Sequence, residues 1–298
     1  MNLRKKFRAL IAQPGLVLMP GAYDALSARI IAQQGFEAVT GGGYAAVGSL
    51  LAQPDSGQSN MRDYADHYAR LCEAAEVPVY VDADTGFGGV NNVRQMVRAF
   101  ENAGVAGFFI SDQVFPNRCG YLPGKDVVSL EQSLGRLKAA LDARRDPDLV
   151  IAGRTDVKAV AGPEAAIERA QLFMEAGADL AKPHGFDTLD EIKRVMREVP
   201  GPHFATLSQA AGKAKVTIPE LEAAGVSAVS FPSAALFAAA QAVTQIMAKL
   251  KRERSLDGIM DSLIPLEEYY ALVGLKGQLA REEGYDLAAR ALLKKAAE

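Results

Sequence analysis

Eight short apolar segments alternate along this chain with longer amphipathic segments, and this alternation constrains the fold more than any other feature. The apolar segments have the character of buried β-strands, and several longer segments have the spacing of amphipathic helices. Alternating strands and helices favour parallel βαβ units, and eight such units favour a closed barrel over an open sheet. The predicted strands are Leu16–Met19, Ala38–Thr40, Val77–Asp82, Gly107–Ile110, Leu149–Ala152, Leu180–Lys182, Phe204–Thr206 and Ala228–Phe231. The clearest helical patterns are Ala25–Gln34, Met61–Ala75, Val93–Ala103 and Pro163–Ala176.

A recurring phrase at four junctions supports this count. Gly35, Gly104, Gly177 and Gly225 each stand between a helical pattern and a predicted strand. Glycine readily takes the left-handed conformation that ends many helices, after which the chain enters the next strand. No linker or low-complexity segment interrupts the pattern. We therefore predict one α/β barrel domain over residues 1–251.

Charge, hydropathy and cysteine content exclude several functional classes. A net charge of -3 provides no basic surface for nucleic acid, and no apolar run approaches the roughly 20 residues of a membrane span. The basic N-terminus lacks the apolar core of a signal peptide and is predicted to be an amphipathic helix. The two cysteines, Cys72 and Cys119, do not suggest a disulfide framework, so we expect a cytoplasmic protein.

The pattern changes after Lys251, where no further strand is predicted. Residues 252–298 are predicted to form helices outside the barrel, the last with an apolar stripe at Ala288, Ala291 and Leu292. Such a stripe fits a helix docked on its own barrel or an arm that packs on a neighbouring subunit. We predict the arm, and with it a homo-oligomer.

The strongest local signal of chemistry is the segment Val81–Gly89. An apolar run is followed by Asp82 and Asp84, and at this spacing on an extended chain both side chains point to the same face. Two adjacent carboxylates are unfavourable unless a cation or a proton lies between them. Mg2+ suits such a site because it takes one or two carboxylates and keeps several waters, and Mn2+ is a substitute. The other interpretation is that Asp84 caps the helix that begins near Asn91.

Other candidates also follow predicted strands, where barrel enzymes carry their chemistry. Gly41 and Gly42 would present backbone N–H groups to an anion, and Asp55 lies on the long loop beyond them. Arg154 ends the fifth strand and offers a bidentate fork for a carboxylate. A salt bridge to a nearby Asp would also explain Arg154.

The loop between Asp112 and Lys125 is long enough to suggest a functional lid. Within it, Cys119 stands beside a charged Arg, which predicts a lowered thiol pKa and an acid or nucleophile, unless the thiol is merely exposed. Lys182 and His184 end the sixth strand, where a lysine is able to form a Schiff base with a carbonyl substrate. That chemistry is the main enzymatic alternative to the metal site.

Together these segments resemble the isocitrate lyase/phosphoenolpyruvate mutase superfamily, and within it the short lyases that include methylisocitrate lyase and 2,3-dimethylmalate lyase. The resemblance covers about Arg4 to Arg290. It is carried by TGGG from Thr40, PDSG from Pro54, VDADTGFG from Val81, DQVFP from Asp112, RCG from Arg118 and RTD from Arg154. The resemblance implies a (β/α)8 barrel of the TIM type whose last helix is swapped between paired subunits. It also implies tetramers built as dimers of dimers.

The resemblance further implies roles for individual residues. It places Mg2+ at Asp82 and, through waters, at Asp55 and Asp84. It makes Cys119 the loop residue that protonates the enolate left after carbon–carbon cleavage, with Arg154 as a partner of the substrate. The expected substrate contacts are Thr40, Gly41, Gly42, Asn117, Arg118, Gly120, Tyr121 and His184.

Several departures from the family pattern concern the reaction. The lyases usually have Lys-Arg-Cys-Gly-His in the loop, whereas Asn117 and Tyr121 replace the Lys and the His here. Ser111 replaces a common Glu before Asp-Gln, and Lys182 and His184 replace the Phe and Glu of a Phe-Pro-Glu phrase. The metal-binding and carboxylate-binding residues are kept, while the groups that move protons are altered.

We therefore predict a magnesium-dependent carbon–carbon lyase that acts on a small 2-hydroxy or 2-oxo di- or tricarboxylate through an enolate, as in 2-alkylmalate or methylisocitrate cleavage. An oxaloacetate-type decarboxylase is the alternative, because that reaction needs none of the missing bases. The further alternatives are a phosphonate-processing mutase or hydrolase, a Schiff-base aldolase that uses Lys182, and a non-catalytic metabolite-binding barrel.

Overall fold

Eight parallel strands form the barrel in the computed structural model, which describes residues 2–208, 212 and 215–297. The strands are β1 (Val17–Pro20), β2 (Val39–Gly41), β3 (Val79–Asp82), β4 (Gly107–Ser111), β5 (Val150–Thr155), β6 (Leu180–Pro183), β7 (Phe204–Thr206) and β8 (Ala228–Phe231). Strands β2 to β6 pair in sequence order, while β8 pairs with β1 on one side and β7 on the other.

Two single bridges join these groups into one ring. Gly21, after β1, pairs with Thr40 of β2, and Ala181 of β6 pairs with His203, which precedes β7. Both bridges are parallel, like the ladders between the named strands. A closed ring leaves no long strand edge unpaired, and it gathers the carboxyl ends of all eight strands at one end of the barrel.

Helices alternate with the strands, and those of the first 238 residues that follow a strand lie outside the barrel. The helices are α1 (Leu3–Ala12), α2 (Ala25–Gln33), α3 (Gly43–Leu51), α4 (Met61–Ala75), α5 (Val90–Ala103), α6 (Leu130–Ala143), α7 (Lys158–Glu175), α8 (Leu189–Glu198), α9 (Ile218–Ala223), α10 (Ala234–Glu253), α11 (Leu266–Val273) and α12 (Leu275–Ala297). Asp24, Asn60 and Thr188 begin helices with capping boxes, which satisfy backbone N–H groups of the first turn. Helix α7 is kinked at Gly162, so the predicted start at Pro163 marks its second piece.

Two apolar clusters hold the barrel together. One lies between the strands and the surrounding helices and includes Leu71 and Phe100. The other fills the barrel interior near the strand starts and includes Tyr80 together with Phe7 and Ile11 of α1. The ring centroids of Phe7 and Tyr80 are 5.5 Å apart. Helix α1 therefore closes the amino-terminal end of the barrel.

The fold predicted from the sequence is confirmed. Each predicted strand overlaps an observed strand, and the bounds of the last two coincide with the observed ones. The junction glycines Gly35, Gly104, Gly177 and Gly225 have φ angles of 87°, 88°, 103° and 84°. These values lie in the left-handed region, as expected for residues that end a helix before a strand.

The chain divides into two compact units, Met1–Ala238 and Ala239–Glu298. The division falls inside α10, before the boundary predicted after residue 251. The first unit contains the barrel. The second contains the rest of α10, a 3-10 turn (Met260–Ser262), α11 and α12.

Helix α12 carries apolar side chains that the described part of the chain does not cover. Tyr285, Leu292 and Leu293 are 77%, 70% and 72% exposed. Ala288 and Ala291 of the predicted stripe are exposed as well. None of the described helices combines the length and the apolarity that a membrane crossing requires.

Gly153 in β5 tests the packing between the barrel and its helices. A methyl group here would lie 2.6 Å from Cδ2 of Phe173 in α7. We expect Gly153→Ala to lower the free energy of unfolding by about 1–3 kcal/mol, the usual cost of overpacking a core. The matched control is Gly135→Ala in α6, where a methyl group meets nothing within 4 Å. This change should raise the free energy of unfolding by about 0.5–1 kcal/mol, because alanine has less conformational freedom than glycine in the unfolded chain. Urea unfolding measures both changes, and equal values would contradict this packing.

Candidate active site

Asp82 and Asp84 are buried at the carboxyl end of β3. The Asp84 N–H donates to Oδ1 of Asp82 at 2.9 Å, and the Gly43 N–H donates to Oδ2 at 3.4 Å. Asp84 has a φ of 47°, a conformation that persists in a non-glycine residue only where its surroundings hold it. The N-cap residue of α5 is Gly89, so the interpretation of Asp84 as a helix cap is wrong.

Asp55, from the loop after α3, joins these two carboxylates. It is buried, and its Oδ1 atom has no hydrogen-bond partner within the described residues. Burial and the charge of Asp82 raise the pKa of Asp55 to about 7. Burial, Asp82 and Asp55 raise the pKa of Asp84 well above its ordinary value. Each carboxylate therefore makes the next one harder to ionise, a condition that a bound cation relieves.

Arg154 lies at the end of β5 and lines the cavity that Asp82 also faces. Its Nε and Nη2 atoms donate to the two carboxylate oxygens of Asp156 at 2.7 and 3.0 Å. Although burial alone would raise it, Arg154 holds the pKa of Asp156 well below its usual range. The alternative interpretation of Arg154 as half of a salt bridge is therefore correct, and this bidentate pair fixes the guanidinium in the cavity wall.

Asp112 stabilises the backbone and side chains around this ion pair through hydrogen bonds. It accepts hydrogen bonds from Oγ1 of Thr155 at 2.6 Å, from the Asp156 N–H at 2.9 Å and from Nη1 of Arg169 at 2.9 Å. The Ser111 hydroxyl donates to Oδ2 of Asp156 at 3.4 Å. The ends of β4 and β5 are thus joined by a buried network, and breaking such an ion pair costs about 3–5 kcal/mol.

The loop of residues 113–125 is closed over the cavity. Nδ2 of Asn117 donates to Oδ1 of Asp84 at 2.8 Å, and the Cys119 N–H donates to the carbonyl of Asp55 at 3.4 Å. The Oδ1 atom of Asn117 is buried and has no hydrogen-bond partner among the described residues. Closure therefore brings the loop directly onto the carboxylates.

The second half of the loop is held by Lys125. Its Nζ atom donates to the carbonyl of Gly120 and, at 3.3 Å, to Oδ1 of Asp156. The Gly120 backbone lies against His184 and Arg154 so closely that a Cβ atom there would be 2.6 Å from Nη2 of Arg154. The loop reaches this position only because residue 120 has no side chain.

The predicted lowering of the Cys119 pKa is wrong. Burial and the charges of Asp55 and Asp82 raise the pKa of the thiol, and Arg154 offsets this only in part. Arg118, whose charge motivated the prediction, is exposed. A thiol with a raised pKa is protonated at neutral pH, which suits a proton donor better than a resting nucleophile.

One cavity of about 70 Å³ brings most of the predicted residues together. Those that line it are Thr40, Gly42, Asp55, Asp82, Asn117, Arg118, Cys119, Gly120, Tyr121, Arg154 and His184. Gly41 does not line it and faces Tyr68 and Leu71 of α4, and Asp84 lies behind the amide of Asn117. A larger cavity of about 460 Å³ beside α8 and α9 is lined by none of the predicted residues that the structure describes.

The cavity also contains residues that sequence reasoning missed. Thr206 and Ser230 line it from β7 and β8, and Phe109 and Phe204 contribute aromatic rings. Serine and threonine are ordinary in strands, so their local sequence gives no signal. Only the pairing of Thr206 with Ser230 at the same level of the barrel would have identified them.

The chemistry around Asp82 fits a hard divalent cation. Among the described residues, no group of three or more His, Cys, Asp and Glu side chains is arranged to hold a metal ion by itself. Mg2+ usually binds one or two carboxylates and completes its octahedron with waters. The unpartnered buried oxygens of Asp55 and Asn117 are acceptors of the kind that such waters require.

Comparisons with known proteins identify the family of the chain. The family model described as phosphoenolpyruvate phosphomutase matches residues 7–251. The 2,3-dimethylmalate lyase of Eubacterium barkeri is 37% identical over 285 residues, which are 96% of this chain and 99% of that protein.

Two solved structures share the fold over nearly the whole chain. Oxaloacetate acetylhydrolase in complex with the inhibitor 3,3-difluorooxalacetate has a TM-score of 0.89 at 29% identity, covering 96% of this chain and 97% of that one. A phosphonopyruvate hydrolase complex with oxalate and Mg2+ has a TM-score of 0.86 at 28% identity, covering 96% and 99%.

Gly120→Ala tests the closed position of the loop. The added methyl group would collide with Nε2 of His184, and a clash of about 1–3 kcal/mol shifts an open–closed equilibrium roughly ten- to a hundredfold. We expect the thiol of Cys119 to react faster with a disulfide reagent by about tenfold or more. The assay uses a Cys72→Ala background, so that one thiol is observed. Leu122→Ala, an exposed change in the same loop, is the control, and an unchanged rate in Gly120→Ala would contradict the closed loop.

Proposed function

Because the chain belongs to the phosphoenolpyruvate phosphomutase family, we propose that it is a lyase that cleaves a carbon–carbon bond of a small 2-hydroxy or 2-oxo di- or tricarboxylate through an enolate. One observation carries the proposal: one cavity is bounded by the buried carboxylates of Asp82 and Asp55, by Arg154 from β5 and by Cys119 on the closed loop. These groups offer a cation site, a partner for a substrate carboxylate and a proton donor.

Mg2+ is the cation we propose for this site, held by Asp82 and, through waters, by Asp55 and Asp84. When bound, it supplies Lewis-acid stabilisation of negative charge on the substrate oxygens. The raised pKa values of the three carboxyl groups support a cation here, since repulsion between them is otherwise uncompensated. The Mg2+ and oxalate in the phosphonopyruvate hydrolase complex also support it. Mn2+ suits the same oxygen ligands.

The side chains of the chain itself position the substrate and move the proton. Arg154, oriented by Asp156, binds a substrate carboxylate and offsets the negative charge that develops on the enolate. Thr40 and Gly42 line the same space. The closed loop excludes water from the enolate, and the protonated thiol of Cys119 is placed to deliver a proton to the enolate carbon.

An oxaloacetate-type decarboxylase is the second candidate, and one observation favours it. Asn117 and Ser111 occupy positions where the lyases usually have Lys and Glu. The Asn117 amide donates to Asp84, and the Ser111 hydroxyl donates to Asp156, so neither group accepts a proton as a base. Decarboxylation of a 2-oxo diacid leaves an enolate directly and requires no base to remove a hydroxyl proton.

We also propose that the protein is a homo-oligomer, a dimer of dimers, in which the second unit packs on a neighbouring subunit and α12 is exchanged. The exposed Tyr285, Leu292 and Leu293 support this, because large uncovered apolar groups mark interaction surfaces. The free thiols of Cys72 and Cys119 support a reducing, cytoplasmic location.

A product assay with Mg2+ tests the reaction. The substrates are 2,3-dimethylmalate, methylisocitrate, isocitrate, oxaloacetate and phosphonopyruvate. We expect cleavage of a 2-alkylmalate-type substrate, lowered about a hundredfold or more in Cys119→Ser, because general acid catalysis contributes on that order. Cys72→Ser, at the other cysteine, is the control and should keep full activity.

Other outcomes of this assay separate the candidates. Consumption of oxaloacetate alone, with most activity kept in Cys119→Ser, would assign the decarboxylase. Turnover of none of the five substrates would contradict both candidates.

The raised carboxyl pKa values predict how Mg2+ stabilises the protein. A carboxyl group whose pKa is raised on folding stabilises the fold at low pH, and this contribution is lost as the pH rises from about 4 to about 7 for Asp55. We expect Mg2+ to raise Tm strongly at pH 8 and much less at pH 5, where protons occupy the carboxyl groups. Scanning fluorimetry with Mg2+ or EDTA measures this difference, and Asp84→Asn should reduce it. An equal effect at both pH values would count against the cation site.

The double variant Leu292→Glu, Leu293→Glu tests the exchanged arm. Two buried charges at a subunit interface are strongly unfavourable, so we expect light scattering to show a smaller assembly than for the unmodified protein. Glu283→Ala, an exposed change on the same helix, is the control and should leave the mass unchanged. A double variant with the mass of the unmodified protein would argue against an interface at these residues.

A further inference from the structure

The cavity contains a buried lysine that the proposed reaction does not use. Lys182 of β6 is 4% exposed and lines the cavity. Its Nζ atom donates to Oγ1 of Thr206 at 2.9 Å and lies 3.7 Å from the ring centroid of Phe204 and 4.9 Å from that of Phe109. Among the described residues, no acidic side chain forms an ion pair with it.

The order of the strands places Lys182 across the barrel from the proposed cation site. In the closed ring of eight, β7 is diametrically opposite β3, and β6 is the neighbour of β7. Asp82 ends β3, whereas Lys182 and Thr206 belong to β6 and β7. Ser230 of β8 donates to Oγ1 of Thr206 at 3.3 Å. The side of the cavity formed by β6, β7 and β8 is therefore lined by an amine and two hydroxyl groups.

This side of the cavity is built for an anion. A buried ammonium without a counter-ion is unfavourable, and aromatic faces alone compensate it only in part. Amine and hydroxyl groups together provide the donors that a carboxylate accepts. The ring of Phe109 lies beside both Lys182 and Arg154, with Cζ of Arg154 5.3 Å from its centroid. Two cationic side chains thus face one small cavity from neighbouring strands.

We propose that Lys182, with the hydroxyl groups of Thr206 and Ser230, binds the distal carboxylate of the substrate. The enzyme then selects 2-oxo or 2-hydroxy dicarboxylates over acids that carry a single carboxylate. This inference rests on the proposed function, because the first carboxylate and the adjoining oxygen must occupy the side of Asp82 and Arg154.

The charged groups that face Lys182 agree with this role. Burial and the charge of Arg154 hold the pKa of Lys182 well below its ordinary value, while Asp82 and Asp156 act in the opposite direction. The nearby His184 is neutral at physiological pH, because burial and Arg154 lower its pKa to about 3. A carboxylate bound beside Lys182 favours the ammonium form of the lysine. The second carboxylate of a dicarboxylate thus provides the counter-ion for this ammonium group.

Binding of two ligands in the presence of Mg2+ tests the proposal. Oxalate has no carboxylate beyond the two-carbon unit proposed to lie beside Asp82 and Arg154, whereas 3,3-difluorooxaloacetate has a further one. We expect Lys182→Met to lower the affinity for 3,3-difluorooxaloacetate by about 30-fold or more and the affinity for oxalate by less than about threefold. Isothermal titration calorimetry measures both affinities. Lys182→Arg should recover part of the lost affinity, because it keeps the charge. Thr206→Val is a second variant: it keeps the lysine but removes the hydroxyl group that accepts its hydrogen bond, and it should also weaken binding of the dicarboxylate selectively.

The remaining outcomes each contradict a stated idea. Equal losses for both ligands, or no loss for either, would overturn the distal subsite. A substrate adduct on Lys182, trapped by borohydride with oxaloacetate and found by mass spectrometry, would also overturn it by making the lysine a nucleophile. Failure of the unmodified protein to bind oxalate with Mg2+ would instead overturn the proposed function, and this inference with it. Thermal melts of every variant verify that the binding data come from folded protein.

Discussion

The constraint on which the rest of the site depends is the burial of three carboxyl groups beside one another at the end of β3. Asp82 ends the strand, Asp84 follows it in a left-handed conformation, and the loop after α3 adds Asp55. Their mutual repulsion sets what the neighbouring elements have to supply. The loop of residues 113–125 supplies the amide of Asn117, which donates to Asp84. Strand β5 supplies Arg154, which lines the same cavity as Asp82. A parallel barrel makes this possible because strands far apart in sequence end at the same place.

The features that the sequence predicted well are those with a local physical cause. Apolar runs of strand length, helical periodicity and a glycine at each junction are properties of a few consecutive residues, and all of them agree with the structure. The closeness of Asp82 and Asp84 is equally local, but their predicted extended geometry is wrong, because β3 ends at Asp82, Asp84 has a φ of 47°, and of the two only Asp82 lines the cavity. The family motifs around Thr40 and Arg154 further predicted that the ends of β2 and β5 belong to the same site.

The features that the sequence could not predict depend on distances between remote segments. Cys119 illustrates this: Arg118 is its neighbour in the chain, but Asp55 and Asp82 are its neighbours in space, and they move its pKa in the opposite direction. Lys182 is a second example, because its partners Phe109, Phe204 and Thr206 belong to β4 and β7. A single sequence reports such proximity only through motifs, and no motif marks these contacts.

The closure of the amino-terminal end of the barrel by α1 has a kinetic consequence. Phe7 and Ile11 fill that end, so within the described part of the chain substrate and products reach the cavity from the end that the loop of residues 113–125 covers. Two fragments of a cleaved acid cannot pass each other in a cavity of about 70 Å³. The fragment nearer the loop must therefore leave first and the fragment at the floor last. Architecture alone, before any difference in affinity, imposes an order of product release.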